Sequence, residues 1–210
     1  MILAIETAAH VGASVALIDA AGALVEQIAF GNSRMVAAEL APAVARLAVA
    51  HGCPDSDMIV AADCGPGSFT GIRIGIATAM GVADAWKARV VGVPHFSLYD
   101  LPAPPVAVLL DSHAGGCYCM IRPANGPERR AFIATHDIAA ALAAASAEGG
   151  VVWGDAPATI LAGTAWRAAD STPATDAAAV GRVACALVAH GQDAPLVPLY
   201  LHPGFFTRPA

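Results

Sequence analysis

Charge is scarce in this sequence: Asp, Glu, Lys and Arg make up only 13% of its 210 residues, and aromatics 6%. Hydrophobic residues reach 57%, which excludes a chain kept disordered by its composition. Long apolar runs are also missing. Charged residues interrupt every apolar stretch after roughly ten positions, short of the ~20 that a bilayer-spanning helix needs. The mean hydropathy of +0.60 therefore reflects abundant alanine, and a soluble protein is predicted. The start, Met1-Ile2-Leu3-Ala4-Ile5-Glu6, has no basic segment and meets an acid at once, so no secretory signal is expected. The five cysteines, at 53, 64, 117, 119 and 185, form no CxxC pair. Cys117 and Cys119 fall on one face of a strand, a poor geometry for a disulfide, and five reduced thiols in a cytoplasmic protein are expected. A basic surface is lacking too. The net charge of -6 and a single adjacent basic pair, Arg129-Arg130, argue against autonomous RNA binding.

What is present is an alternation of strand and helix patterns. Apolar runs over 1–7, 13–19 and 23–30 predict an antiparallel meander. Residues 36–52 predict a helix stopped at Gly52, and 58–62 a fourth strand. The loop 65–71 leads into a helix to about Lys87, and 89–93 is a buried strand stopped by Pro94. The uncharged segment Leu101-Pro102-Ala103-Pro104-Pro105 predicts a boundary, with an N-terminal lobe over 1–101 and a smaller lobe over 102–210. In the second lobe, strands are predicted over 106–111, 117–122, 129–134 and 151–154. Helices are predicted over 136–147, capped by Thr135, and over 176–190, with an extended surface tail from 195. Both lobes read as a meander followed by mixed helix and strand.

The specific chemical signal is Gly65-Pro66-Gly67-Ser68-Phe69-Thr70-Gly71 between a strand and a helix. Glycines permit close backbone approach, Ser68 or Thr70 can cap the helix, and free amides at a helix start favour phosphate. Thr7, at the turn that ends the first apolar run, is counted with this loop as a candidate phosphate-region residue. The spacing is neither GxxxxGK[ST] nor GxGxxG, and a tight turn without ligand is the alternative.

Extended to Ile72-Arg73-Ile74-Gly75, this motif resembles the hallmark of the TsaB (YeaZ) family. So do Ile2 to Ala8 with Ser14-Val15-Ala16-Leu17, then Val91-Gly92-Val93-Pro94, and Pro198-Leu199-Tyr200-Leu201. The resemblance is dense from Met1 to about Tyr99 and thin afterwards. It implies an α/β protein of the actin/Hsp70-like (ASKHA, RNase H-like) fold with two lobes, each a mixed sheet flanked by helices. It implies a partner, the homologous catalytic subunit TsaD, and the ATPase TsaE. That assembly adds threonylcarbamoyl to the adenosine beside the anticodon of tRNA. Two departures stand out: Val36-Ala37-Ala38 where many members carry His-Ser-Glu, and Asp111-Ser112-His113-Ala114 where many carry an arginine.

The catalytic relative holds its metal through two histidines at i, i+4 on one helix face. None of the seven histidines here, at 10, 51, 95, 113, 136, 190 and 202, has such a mate, which leaves only a metal set from scattered residues. The peptidase label once attached to the family has no GxSxG elbow here. A non-catalytic subunit is expected, with no metal and no required cofactor, weak ATP or ADP binding at most, and tRNA met only through the complex. The alternative is a small-molecule kinase using Glu6 or Asp111 as base.

Two helices carry the partner expectation. The first has only Glu39 and Arg46 as charges, and the second repeats Gly71, Gly75, Ala79 and Ala83 at i+4. Val36, Leu40, Val44, Arg73, Gly75, Ile76, Ala79 and Ala83 are the predicted interface, covered by TsaD or, in its absence, by a second copy.

Overall fold

The structure, a computed structural model, describes residues 1–9, 12–31, 35–55 and 57–202. The chain forms two compact units. The first comprises Met1–Leu98 and Ala174–Leu199, and the second Tyr99–Pro173 with the segment from Tyr200.

In the first unit, β1 (Ile2–Glu6) is paired antiparallel to β2 (Ser14–Ile18), which pairs antiparallel to β3 (Leu24–Ala29). On its other side β1 runs parallel to β4 (Ile59–Asp63), and β4 parallel to β5 (Arg89–Val93). The sheet order is β3-β2-β1-β4-β5. Strand β1 is buried along its whole length, as its unbroken apolar run predicts for a strand covered on both faces. Leu3, Ile5, Val15, Leu17 and Val60 point to helices α1 (Val36–His51) and α2 (Phe69–Trp86). Ala4 and Ile18, on the alternate face, meet Gly181 of helix α4 (Ala177–Ala189), where a side chain would collide with Ile18 and crowd Ala4. Gly52 closes α1 in the left-handed conformation (φ 65°), as its sequence position predicts.

The second unit repeats the plan. Strand β6 (Val106–Asp111) is antiparallel to β7 (Gly116–Arg122), which pairs with β8 (Arg129–Ala134). Strand β9 (Val151–Trp153) lies parallel to β6, and the short β10 (Arg167–Ala168) parallel to β9. Its order, β8-β7-β6-β9-β10, matches the first sheet strand for strand. The covering helix α3 (Ile138–Ala145) buries Ile138 and Leu142. Trp166 Nε1 donates to the carbonyls of Leu142 and Ser146 and so holds its C-terminal end.

Four features differ from the sequence reading. Helix α4 and the chain to Leu199 belong to the first unit and not to a lobe over 102–210, because β1 and β2 need cover on their second face. Thr135 does not cap α3; it opens a 3-10 turn over Thr135–Asp137, and the helix starts at Ile138. The stretch 194–199 is stitched down rather than laid over the surface. Gly92 N–H donates to Ala194 O, Leu199 N–H to Cys64 O, and Arg89 pairs with Asp193. Strand β10 is too short to show a pattern. The predicted tail beyond 202 lies outside the described residues. Among the described residues no helix is long and apolar enough to cross a membrane.

Candidate functional site

The parallel strands β1, β4 and β5 end together, and the edge at strand carboxyl ends is where open α/β sheets place their sites. The glycine loop springs from this edge. Ser68 is the N-cap of α2 and its Oγ accepts the Gly71 N–H at 3.2 Å. Ser68 N–H donates to Ala8 O at 2.7 Å, and Thr7 Oγ1 donates to Gly71 O at 2.8 Å. A Cβ on Gly67 would overlap the Ala8 carbonyl, and one on Gly71 the Thr7 carbonyl. The motif's glycines thus let the loop press onto the backbone that leaves β1. The amides of Gly65, Ser68 and Gly71 are all given to protein acceptors. Phe69 and Thr70 stand at the first turn of α2, with the Arg73 guanidinium 3.7 Å over the Phe69 ring.

Beneath the loop three ionisable side chains meet. Glu6 is the last residue of β1, Asp63 the last of β4, and His95 follows β5 by two residues. Their exposures are 0%, 1% and 3%. His95 Nδ1 lies 2.5 Å from Asp63 Oδ2 and 4.0 Å from Glu6 Oε2. Asp63 Oδ1 accepts the Gly65 N–H at 2.6 Å, and Glu6 Oε1 accepts the Ala9 N–H at 2.6 Å. Glu6 Oε2 has no hydrogen-bond partner as an anion. Burial, and then the negative charge of Asp63, hold the Glu6 carboxyl well above its ordinary range against the opposing pull of His95. Burial raises Asp63 to about 6, opposed by hydrogen bonds from Glu6 and the Gly65 amide. One atom from each residue lies within 4.8 Å of the others, a donor set of two carboxylates and an imidazole that suits a divalent cation.

The pattern of the family described as "TsaD: tRNA N6-adenosine threonylcarbamoyltransferase" matches residues 32–147. The chain belongs to that family. This TsaD-family chain also shares its fold with two solved structures from Pseudomonas aeruginosa. One is an uncharacterized protein with similarity to peptidase YEAZ, at TM-score 0.70 and 24% identity, covering 96% of this chain and 99% of that one. The other is YeaZ, at TM-score 0.65 and 23% identity, covering 95% and 99%. No curated protein sequence matches the chain. The two repeated mixed sheets and the YeaZ-like fold agree with the α/β expectation drawn from the glycine motif.

The predicted residues part into two groups. Thr7, Gly65, Gly67, Ser68, Phe69, Thr70 and Gly71 do come together at the loop. The predicted interface is another matter: Val36, Leu40, Val44, Gly75, Ile76, Ala79 and Ala83 are buried against the unit's own sheet. Small residues at i+4 let α2 lie close on β1 and β4, with Thr7 Oγ1 where a Gly75 side chain would be. Only Arg73 of that set is exposed. The outward faces of the same helices carry instead Ala37, Ala38, Ala41, Ala45, Val49 and Met80. Sequence reasoning joined neither Asp63 nor His95 to Glu6, although each stands just past an apolar strand run.

Proposed function

We propose that this TsaD-family chain acts in tRNA threonylcarbamoyladenosine modification as the YeaZ-type subunit, pairing with a TsaD-like catalytic chain rather than running the reaction itself. The observation that carries this reading is the outer face of α1 and α2. Val49 is 86% exposed, Met80 56% and Met35 46%, in a row of exposed alanines broken by few charges. A monomer gains nothing from such a face, and a partner helix covering it removes apolar area worth ~25 cal/mol per Å². The acidic balance, -6 overall, supports tRNA being held by other subunits, with a TsaE-like ATPase supplying the nucleotide chemistry in the cytoplasm. In isolation the same face pairs two copies of the chain. ATP and ADP bind weakly or not at all, since three loop amides already have acceptors within the protein.

The test mixes the chain with TsaD-like and TsaE-like proteins and measures threonylcarbamoyladenosine in tRNA with and without it. Val49→Asp with Met80→Asp is expected to abolish association by light scattering and to remove the stimulation, with an unchanged melting curve. Undiminished association would exclude this face. Phosphoryl transfer to a small molecule by the chain alone would support the kinase reading instead.

A further inference from the structure

Among the described residues only six polar or charged side chains are buried, and three of them, Glu6, Asp63 and His95, crowd one point. For a chain so sparing of charge this is costly. Two carboxylates drawn out of water repel one another, and apolar residues in their place are often neutral or stabilising. Nδ1 of His95 can bridge one of them through a single proton, and it already faces Asp63 Oδ2, so an ionised Glu6 has no donor for its Oε2, 4.0 Å from the same nitrogen. The remaining oxygens are committed outward, to the amides of Ala9 and Gly65. Three atoms therefore converge on one small volume: Glu6 Oε2, Asp63 Oδ2 and His95 Nδ1, each from the end of a different parallel strand. We infer that Glu6, Asp63 and His95 form a buried site for one divalent transition-metal ion, bound through these three atoms.

The chemistry narrows the ion. Two carboxylate oxygens and an imidazole nitrogen suit Zn²⁺, Co²⁺, Fe²⁺ or Mn²⁺, whereas an imidazole ligand disfavours Mg²⁺ and Ca²⁺. Two negative charges against one divalent cation leave the site neutral. The hydrogen bonds to Ala9 and Gly65 orient the carboxylates as outer-shell partners do. The site is structural, because its ligands are sealed and tied directly to the loop. Asp63 holds the Gly65 amide, His95 N–H donates to Gly65 O, and Glu6 holds the Ala9 amide beside the Ala8 carbonyl that takes Ser68 N–H. An ion here fastens the glycine loop to β1 and β5 at once. The proposal concerns this chain alone and stands or falls apart from its pairing with a catalytic subunit.

Because the ligands are enclosed, the ion enters during folding. The full-length chain is unfolded in chelator and refolded with Co²⁺, with Zn²⁺, or with chelator alone, then desalted. The expected result is about one Co²⁺ or Zn²⁺ per chain by elemental analysis, with visible Co²⁺ absorption and a melting temperature several degrees above the chelated sample. Glu6→Gln and His95→Gln, confirmed folded by circular dichroism, are expected to retain at least about tenfold less metal. Less than about a tenth of an equivalent in the unmodified chain, with melting the same in metal and chelator, would overturn the site in favour of a proton shared between Glu6 and Asp63. A folded variant that keeps a full equivalent would overturn it equally, by placing the ion elsewhere.

Discussion

Strand β1 ends in Glu6 and its counterpart β6 in Asp111, each central in a sheet of the same strand order. Glu6 is sealed from solvent, whereas Asp111 stays partly open and turns to its own loop. Its Oδ1 accepts the His113 N–H at 2.8 Å, and the His113 ring lies 3.3 Å from its Oδ2. The covering helices differ as well. In the first unit α1 and α2 run 16 and 18 residues; in the second, α3 has eight, and a 3-10 turn over Ala158–Leu161 stands where α2 would be. A short helix leaves a groove of about 640 Å³ beside it, with Cys119, Ile121 and Ile133 among its walls and Arg129 among its polar residues. One plan thus yields a sealed cluster at the end of β1 and a partly exposed set, Asp111, His113 and Asp155, at the end of β6. The strand order sets where ionisable groups gather, and burial decides whether they are shut off from water.

The largest expected effect separates the two helix layers. Ala79→Glu puts a charge at a position with 0% exposure and should cost about 4 kcal/mol or more, unfolding the first unit. The same change at exposed Ala143 on α3 should stay within about 0.5 kcal/mol. Urea melts of both variants decide it, and a stable Ala79→Glu chain would break the contrast between closed and open. A middle-sized effect probes the turn after the fourth strand of each sheet. A side chain at Gly67 would strike the Ala8 carbonyl, and one at Gly154 the Leu109 carbonyl. Gly67→Ala and Gly154→Ala should each cost about 2–3 kcal/mol in the same melts; a cost in only one would show that the repeated turn carries strain in one unit alone. The smallest effect asks whether both cores exclude water alike. Burial pushes the thiols of Cys64 and Cys119 up to about 12 and that of Cys117 to about 11, one in the first unit and two in the second. At pH 8 their thiolates are scarcer than an ordinary thiol's by about a hundred- to a thousandfold. A chromogenic thiol reagent should therefore label half-buried Cys53 and Cys185 first, and all five only after unfolding.

Much of the fold was legible because strand and helix periodicities differ and glycine or proline marks their ends. The fourth strand, the cap at Ser68 and the stop at Gly52 fall where those signals put them. The direction in which α1 and α2 face was not legible. A helix rich in alanine and valine has two apolar sides, and a ridge of small residues announces close packing without naming what it packs against. Nor was the unit to which α4 belongs legible, because chain order says nothing of which sheet face remains bare. The buried cluster escaped for a related reason: residues 6, 63 and 95 share no motif. Their common signal, a polar residue just past an apolar run, acquires meaning only once the three strands are known to lie side by side and parallel.

The return of α4 to the first sheet has a consequence for synthesis. A nascent chain that has emerged only as far as Pro173 already contains every strand of that sheet, yet Ile2, Ala4, Ala16 and Ile18 still lack the helix that buries them. The second unit, almost continuous in sequence, can close while its predecessor waits. The half made first is therefore the half finished last, and until residues 174–199 leave the ribosome its sheet offers chaperones, and unwanted neighbours, an open apolar face.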